Sequence, residues 1–274
     1  IMKDTPLSHS HRHHSHLMPI HPLGLLDVDG TEEERDLISR SINTWLRQGF
    51  AEWIGEVWAW ASQIASRIYK GNMACSFLDR YADAFPSENS LNMNNDEKEY
   101  GQGGFFFLHG SESKAPEGWP DRWPRELSLN GSLGAAAAVL EMLLQSWTGI
   151  VRVFPAVPDR WHNAWFENLR AEGAFIVSSQ LSGQQVTFID ITSEAGGTCR
   201  VHNPWPTRAT VTSLSTGDTR LLDGQTLEIS TRKGDRFRLS PEAAEIPDNE
   251  VAPPDFNRSP DQCNWFGVKK APRF

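Results

Sequence analysis

The sequence has few cysteines, no excess of positive charge and no long apolar run. Its three cysteines, Cys75, Cys199 and Cys263, lie far apart without a CxxC pair, which excludes a disulfide framework and a thiolate zinc site. Acidic residues number 35 against 26 basic ones, and the net charge of −9 argues against a nucleic-acid or anionic-membrane partner, since both require a basic surface. No apolar stretch approaches the length of a membrane span. A neutral ligand such as a glycan is compatible with this surface.

The chain begins as if within a domain, and we expect it to be a fragment. Ile1 is not an initiator methionine, and the opening IMKDTPLSHSHRHH is polar, unlike a signal peptide. The remaining composition, 39% hydrophobic and 22% charged over 274 residues, is that of a folded protein with one large domain or two ordinary ones. The 11 tryptophans are interpreted as core residues, with sugar-stacking platforms as the alternative.

Helices are predicted in the first half of the chain, where apolar residues recur at helical spacing. Thr31 and Glu34 match a capping box at the start of the first helix, and Gly49 offers a stop. The second helix has apolar residues on two faces, which predicts burial on both sides. The apolar positions of the fourth nearly encircle it, so we expect it to be buried. The predicted ranges of the last three helices are about 52–69, about 72–85, and from Ser132 through AAAAVLEMLLQSW.

After Gly149 the pattern changes to short β-rich segments separated by Gly, Asp or Pro, which predicts a small antiparallel β-sandwich. The fold class is therefore mixed, mainly α and then β. Two stretches have no regular pattern: 86–131, which is rich in Asn, Gly, Pro and Trp, and the tail from about Pro241. The predicted strand segments are VRVFPAVP, GAFIVSSQL, QVTFIDIT, TCRVHNPW, RATVTSLS, TLEISTR and DRFRLS.

Histidines cluster at the start of the chain, and three interpretations compete. A purification tag is disfavoured because Ser and Arg alternate with the histidines. A metal site is conceivable because neutral imidazoles are good ligands, but no Asp or Cys at ligand spacing completes it. The third interpretation is a polar active-site loop whose imidazoles and Arg12 donate hydrogen bonds to sugar hydroxyls. Structural roles are expected for two of the histidines, His14 and His21. The cluster comprises His9, His11, His13, His14, His16 and His21.

The segments around this cluster resemble glycoside hydrolase family 95. His11-Arg12-His13 followed by Ser15-His16-Leu17 matches the family's HRHxSHL motif, and MPIHPLGLL continues the similarity. ELSLNGSLG followed by a helix with EMLLQS resembles the IDGNFG motif and the helix after it. WIGEVWAWASQIASR, ENSLN and CRVHNPW resemble further family segments, so the resemblance covers about residues 9–206.

The resemblance implies a fold and an activity. The fold would be the C-terminal helices of an (α/α)6 barrel over 1–149, a small antiparallel β-sandwich over 150–240 and an irregular tail over 241–274. The activity would be inverting hydrolysis of O-glycosidic bonds in fucosylated or L-galactosylated glycans, without a metal or an organic cofactor. The resemblance favours a secreted protein, and it implies a missing N-terminal part of the same polypeptide that holds the catalytic Glu acid.

Asn130 is the position at which this sequence departs from the family. It matches the Asp of IDGNFG, which is the family's catalytic base. An amide cannot accept a proton at neutral pH, so Asn130 could orient a water but not deprotonate it. Glu126 lies close in sequence and could substitute for that base. The resemblance implies that the substrate is bound by His11, Arg12, His13 and His16.

Three hypotheses follow from these residues. The first is the C-terminal part of a glycoside hydrolase. The second is a catalytically inactive carbohydrate-binding relative that kept the pocket and lost the base. The third is a non-functional truncated fragment, because a barrel that lacks several helices would expose a broad apolar face.

Overall fold

A computed structural model describes residues 10–50, 53–86, 91–92 and 127–242 of the chain. After a 3₁₀ turn at Ser15–Leu17, the helices are α1 Glu32–Arg47, α2 Gly55–Arg67, α3 Gly71–Ala84 and α4 Leu129–Leu143. The strands are β1 Leu144–Gln145, β2 Arg152–Val153, β3 Ala164–Ala171, β4 Phe175–Ser182, β5 Gln185–Ser193, β6 Gly197–His202, β7 Ala209–Ser213, β8 Thr219–Leu222, β9 Thr226–Thr231 and β10 Arg236–Pro241. The predicted order of helices followed by strands is confirmed.

The chain packs as two compact units whose boundary, between Val139 and Leu140, falls inside α4. The helical unit contains α1 to α3 and most of α4, with α2 packed against α3. The β unit contains the end of α4 and all the strands of the described ranges. Most of the irregular stretch 86–131, including Glu126, and nearly all of the tail lie outside the described residues.

The capping box of α1 is confirmed. Glu34 N donates to Thr31 Oγ1 over 3.2 Å, and Thr31 N donates to Glu34 Oε2 over 2.7 Å. These two bonds satisfy backbone groups that the first turn would otherwise leave without a partner. The buried face of α1 carries Ile38, Ile42 and Trp45, at the spacing the sequence predicts.

The second helix is buried on both sides, as expected, but it is shorter than predicted. It ends at Arg67 because Tyr69 adopts a left-handed backbone with φ of 56°. Tyr69 N donates to the Ser66 carbonyl over 3.1 Å and Lys70 N donates to the Ala65 carbonyl over 3.0 Å. This pair of bonds is a Schellman motif, which terminates a helix.

The fourth helix begins earlier and ends earlier than predicted. It begins at Leu129, so Asn130 lies within its first turn rather than before it. It ends at Leu143 because Leu144–Gln145 pairs with Arg152–Val153 as two antiparallel strands. The prediction that the helix continues through QSW is therefore wrong.

The prediction that α4 is buried nearly all round is also wrong. Its inward face carries small residues and Met142, whereas three leucines on other positions remain in solvent. Periodicity could not distinguish the faces, because both are apolar. The buried residues are Ala135, Ala138 and Met142, and the leucines Leu129, Leu133 and Leu140 are 58%, 69% and 48% exposed.

The β unit is an antiparallel sandwich, as the strand pattern predicts. Its larger sheet has the order β3-β4-β5-β10-β7-β8, and β6 pairs with β9 in a smaller one. Both sheets contribute to one apolar core, to which β4, β5, β6 and β9 supply fully buried side chains. The sequence patterns miss β3 and β8. A register shift between Phe166 and Leu169 interrupts the alternation of β3, and β8 is mostly exposed.

Candidate functional site

The histidine segment alternates between exposed and buried residues. His11, Arg12 and His13 are exposed. Ser10 before them is 5% exposed and His14 after them is 0% exposed. The exposed residues thus form a short bridge between two buried ones, and we call His11–Arg12–His13 the exposed bridge. The backbone N–H of His13 donates to His11 Nδ1 over 3.0 Å, so a neutral His11 ring carries its proton on Nε2.

His14 is buried in a cage of tryptophans. Its ring centroid lies 4.9 Å from that of Trp45, 4.7 Å from that of Trp53 and 5.4 Å from that of Trp60. Trp45 Nε1 donates to His14 Nδ1 over 3.1 Å. Burial, followed by the charge of His16, lowers the pKa of His14 to about 3. The ring is therefore neutral at physiological pH, as a structural histidine requires.

His16 and His21 are also shielded from water. His16 is half-buried, and burial followed by the charge of His11 lowers its pKa. His21 is 9% exposed, and burial followed by the charge of Arg67 lowers its pKa to about 4. Trp60 Nε1 donates to the His21 carbonyl over 3.2 Å. Of the predicted substrate-binding residues, His16 is therefore the one that lies deepest.

Asn130 is exposed at the start of α4. Its Oδ1 accepts a hydrogen bond from Ser128 Oγ and, over 3.1 Å, one from the backbone N–H of Gly131. The acceptor atom is thus engaged by the first turn of its own helix. The amide can still donate from Nδ2, and it cannot remove a proton from water.

Asn92 is a buried polar residue that the sequence patterns did not single out. Its backbone N–H donates to Ser132 Oγ over 3.0 Å, and its Nδ2 donates to the Ser128 carbonyl over 2.9 Å. A Cβ at Gly131 would lie 2.6 Å from Asn92 Nδ2, and a Cβ at Gly55 would overlap Asn92 Oδ1. Both glycines therefore provide the space for this amide. The resemblance of ENSLN to a family loop was a signal, but it did not indicate burial.

Helix α2 supports both groups of candidate residues. Trp60 of α2, with Trp53 just before the helix, contacts the His14 ring. At the start of α2, Gly55 borders Asn92. Further along, Gln63 Nε2 donates to the Gly134 carbonyl of α4 over 2.9 Å. The histidine segment and the start of α4 are thus held by the same helix.

The tryptophans in the described part of the helical unit fit the interpretation as core residues better than the alternative. Trp45, Trp53 and Trp58 are 3%, 1% and 2% exposed, and Trp60 is half-buried. Trp45 and Trp53 stack with ring centroids 5.0 Å apart. Rings this deep cannot offer a free face to a sugar.

Metal ligands and membrane-spanning helices were sought within the described ranges. No three or more His, Cys, Asp and Glu side chains there are grouped so that they could hold a metal ion. No helix in that part of the chain is long and apolar enough to cross a membrane. Cys75 and Cys199 are both buried, and burial raises the pKa of the Cys199 thiol to about 12.

Comparison with known proteins gives two adjoining family matches. Residues 3–143 match the glycosyl hydrolase family 95 catalytic domain, and residues 145–239 match the glycoside hydrolase family 95 C-terminal domain. The chain is also similar to Alpha-L-fucosidase 2 of Arabidopsis thaliana, with 27% identity over 180 residues. That similarity covers 65% of this chain and 19% of the relative, so the chain spans about a fifth of the relative's length.

Similarity to solved structures is weak. A GH127 beta-L-arabinofuranosidase from Geobacillus stearothermophilus T6 has a TM-score of 0.27 and 10% identity, covering 68% of this chain and 30% of that one. An alpha-amylase from Geobacillus thermoleovorans, complexed with acarbose, has a TM-score of 0.21 and 9% identity, covering 68% and 42%. TM-scores of this size do not indicate a shared fold.

Proposed function

Because the chain belongs to glycoside hydrolase family 95, we propose that it is part of an inverting, α-L-fucosidase-like hydrolase. The substrates would be glycans with O-linked L-fucose or L-galactose. The two family matches and the relative's name support this proposal. The activity is proposed for the whole protein, whose catalytic acid would come from polypeptide outside this chain. Its fold would be an (α/α)6 barrel that includes residues 1–149, followed by the sandwich over 150–240 and the tail over 241–274.

The exposed bridge is the observation that carries the proposal. His11, Arg12 and His13 present donors to solvent while the residues on both sides of them are buried. Guanidinium and imidazole N–H groups can donate hydrogen bonds to the hydroxyl and ring oxygens of a sugar. We assign these residues, with His16 at the base of the segment, to substrate binding. A neutral glycan also matches the net charge of −9 better than an anionic ligand would.

Asn130 would occupy the position of the general base. In an inverting enzyme the acid and the base stand roughly 6.5–9.5 Å apart, so that a water fits between the base and the sugar. The amide of Asn130 can donate to that water from Nδ2, but it cannot deprotonate it. We therefore expect slow turnover in the natural protein. A base contributes on the order of 10²–10⁴-fold to such reactions.

A second candidate function is sugar binding without hydrolysis. The observation that favours it is the engagement of Asn130 Oδ1 by Ser128 and Gly131, because this oxygen supports the helix rather than facing a reacting water. A relative of this kind would bind L-fucosides through the exposed bridge and release them unchanged.

The full-length protein and its Asn130→Asp variant, assayed on 2′-fucosyllactose and on an aryl α-L-fucoside, would separate the two functions. Turnover by the natural protein, raised roughly 10²-fold or more in the variant, supports the hydrolase. Turnover by the variant alone, with sugar binding by both proteins, supports the binding relative. Glu33→Gln, on the exposed side of α1, is the matched control. If none of these proteins hydrolyses or binds either fucoside, both functions are excluded.

A further inference from the structure

The hydrogen bond between Trp45 and His14 constrains the chemical state of the imidazole. An indole Nε1 can only donate, so His14 Nδ1 must accept. A neutral ring with its proton on Nε2 satisfies this requirement. A doubly protonated ring would place an N–H against the N–H of Trp45. The geometry of the bond therefore admits one tautomer of the neutral ring and excludes the cation.

His14 is also an attachment point of the exposed bridge. It follows His13 directly, and its carbonyl accepts a 2.8 Å hydrogen bond from Leu17 N. Leu17 is 1% exposed, so the chain after the bridge is held at two buried residues, His14 and Leu17. The bridge cannot keep its place if the His14 ring leaves the tryptophan cage.

We propose that His14 is a positioning residue whose neutral, Nε2-protonated ring holds the exposed bridge in place, and whose protonation releases it. The inference rests on the proposed function only for the ligand of the bridge, which would be an L-fucoside. The anchoring itself is a property of this chain and is measured without sugar.

The groups that act on His14 include no carboxylate that could pair with a positive charge. Helix α1 contributes Trp45, and the region of α2 contributes Trp53, Trp60 and the backbone of Val57. The Val57 backbone raises the pKa of His14, although Nε2 has no partner within hydrogen-bonding geometry. The titratable groups that act on the ring from its own segment all lower the pKa; they are His11, His13 and His16.

Hydrogen exchange of the full chain between pH 7 and pH 4, corrected for the intrinsic rate, tests the proposal. Opening of the segment 10–17 should increase in the wild type by up to about tenfold per pH unit below about 6.5, because only the opened state binds the proton. The Leu17 amide, bonded to the His14 carbonyl, is a direct reporter. In His14→Gln the amide oxygen can still accept from Trp45 but does not titrate, so the pH dependence of protection should be clearly weaker than in the wild type, and the part that is left belongs to the buried ring of His16.

Two further variants isolate His14 from the other histidines. His162→Gln removes an exposed histidine of the β unit and should leave the pH dependence unchanged. His21→Gln removes another buried ring just beyond this segment and should keep most of the pH dependence. A wild type whose protection does not change with pH would overturn the proposal. So would a dependence that His21→Gln abolishes and His14→Gln retains.

The tautomer provides a test that needs no variant to fold. Long-range ¹H–¹⁵N correlation on the wild type at pH 7 should find the His14 proton on Nε2. A proton on Nδ1 would contradict the bond from Trp45 and overturn the proposal.

Sugar binding distinguishes this proposal from the proposed function. If the full chain binds 2′-fucosyllactose, the affinity of the wild type should fall at the pH at which exchange shows the segment 10–17 to be mostly open, and this fall should be smaller in His14→Gln. If the chain binds no fucoside at any pH but shows the predicted exchange, sugar binding by the exposed bridge is contradicted and the positioning role of His14 is supported. If the chain binds a fucoside but its exchange does not depend on pH, sugar binding is supported and the positioning role of His14 is contradicted.

Discussion

The helical unit and the β unit differ in how they bury polar groups. In the described part of the helical unit, His14, His16, Trp58 and Asn92 each bury a side-chain N or O atom that has no hydrogen-bond partner. In the β unit the corresponding atoms belong to Trp165 and Thr212. The core between the β sheets is formed by apolar side chains from nearly every strand. The cost of unsatisfied polar groups is therefore concentrated in the helical unit.

The two units also differ in how their charged side chains are paired. In the described part of the β unit, four arginines pair with carboxylates on other strands or loops: Arg170 with Glu194, Arg200 with Glu228, Arg208 with Glu242 and Arg238 with Asp190. The exposed bridge instead presents His11, Arg12 and His13 to solvent. A buried polar atom without a partner costs roughly 1–3 kcal/mol, so a unit that retains several is shaped by something other than stability. This contrast fits ligand binding in the helical unit and a supporting role for the β unit.

The largest effect is expected from acid, which should unfold the helical unit first. The folded pKa of His14 is about 3 and that of His21 about 4, against an ordinary value of 6.5. Since both values are lowered, the unfolded chain binds protons that the folded chain does not. The contribution of the two neutral histidines to the free energy of unfolding is fully present above about pH 6.5, and it is lost as the pH falls towards their folded pKa values. The loss is about 1.4 kcal/mol per histidine per pH unit, or roughly 5 kcal/mol for His14 by pH 3.

Hydrogen exchange of α2 and of β4 at pH 7, 6, 5 and 4 would measure this difference. Amides of α2 should lose protection progressively, while those of β4 should change little over the same range. The double variant His14→Gln/His21→Gln should remove most of the difference between the two units, since only His16 then keeps a lowered pKa among these histidines. Loss of β4 protection before that of α2 would contradict the contrast.

The next effect concerns the space that Asn92 occupies. Gly131→Ala places a Cβ 2.6 Å from Asn92 Nδ2, and Gly55 also borders this buried amide, which leaves it little room to move. We expect a loss of about 1–3 kcal/mol in the free energy of unfolding, as for other overpacked sites. Gly134→Ala in the same helix is the matched control, since its Cβ would meet Ala59 Cβ at 3.2 Å. There the helix-forming preference of alanine offsets the tighter contact.

Urea unfolding of both variants, followed by tryptophan fluorescence, would compare these effects. Equal stability of Gly131→Ala and Gly134→Ala would show that Asn92 is less firmly held than its contacts indicate. A loss in Gly131→Ala that Asn92→Ala relieves would identify the clash directly.

Local signals predicted much of this fold, and tertiary contacts account for the parts they missed. Thr31 and Glu34 predicted the start of α1, because a capping box involves only neighbouring residues. The sequence pattern predicts a helix that begins after Asn130, because the helical position of Asn130 depends on Ser128 and on the buried Asn92, and periodicity does not reveal these contacts. The burial of His14 depends on Trp45, 31 residues away, and no pattern in the histidine segment could reveal that partner. The segment itself was recognisable, whereas its anchor required coordinates.

The smallest effects are expected from the ion pairs of the β unit. They test whether paired charges contribute to the stability of this unit. Arg238 and Asp190 face each other across β10 and β5 with two bonds of 2.7 Å, at side-chain exposures of 16% and 26%. The Asp190 hydrogen bond raises the pKa of Arg238, whose guanidinium also lies 4.7 Å from the Phe188 ring centroid. Asp190→Asn keeps the shape but removes the charge, and should cost about 1–2 kcal/mol, between the values for exposed and fully buried pairs.

The matched control is Glu228→Gln, which removes the partner of Arg200 across β6 and β9. That pair has exposures of 50% and 61%, so its removal should cost less than about 0.5 kcal/mol, and added salt should abolish the difference. Urea unfolding of the full chain at low salt and at high salt would measure both variants. If Asp190→Asn were as mild as Glu228→Gln, the apolar core alone would stabilise the β unit. The pairing of its charges would then no longer separate it from the helical unit.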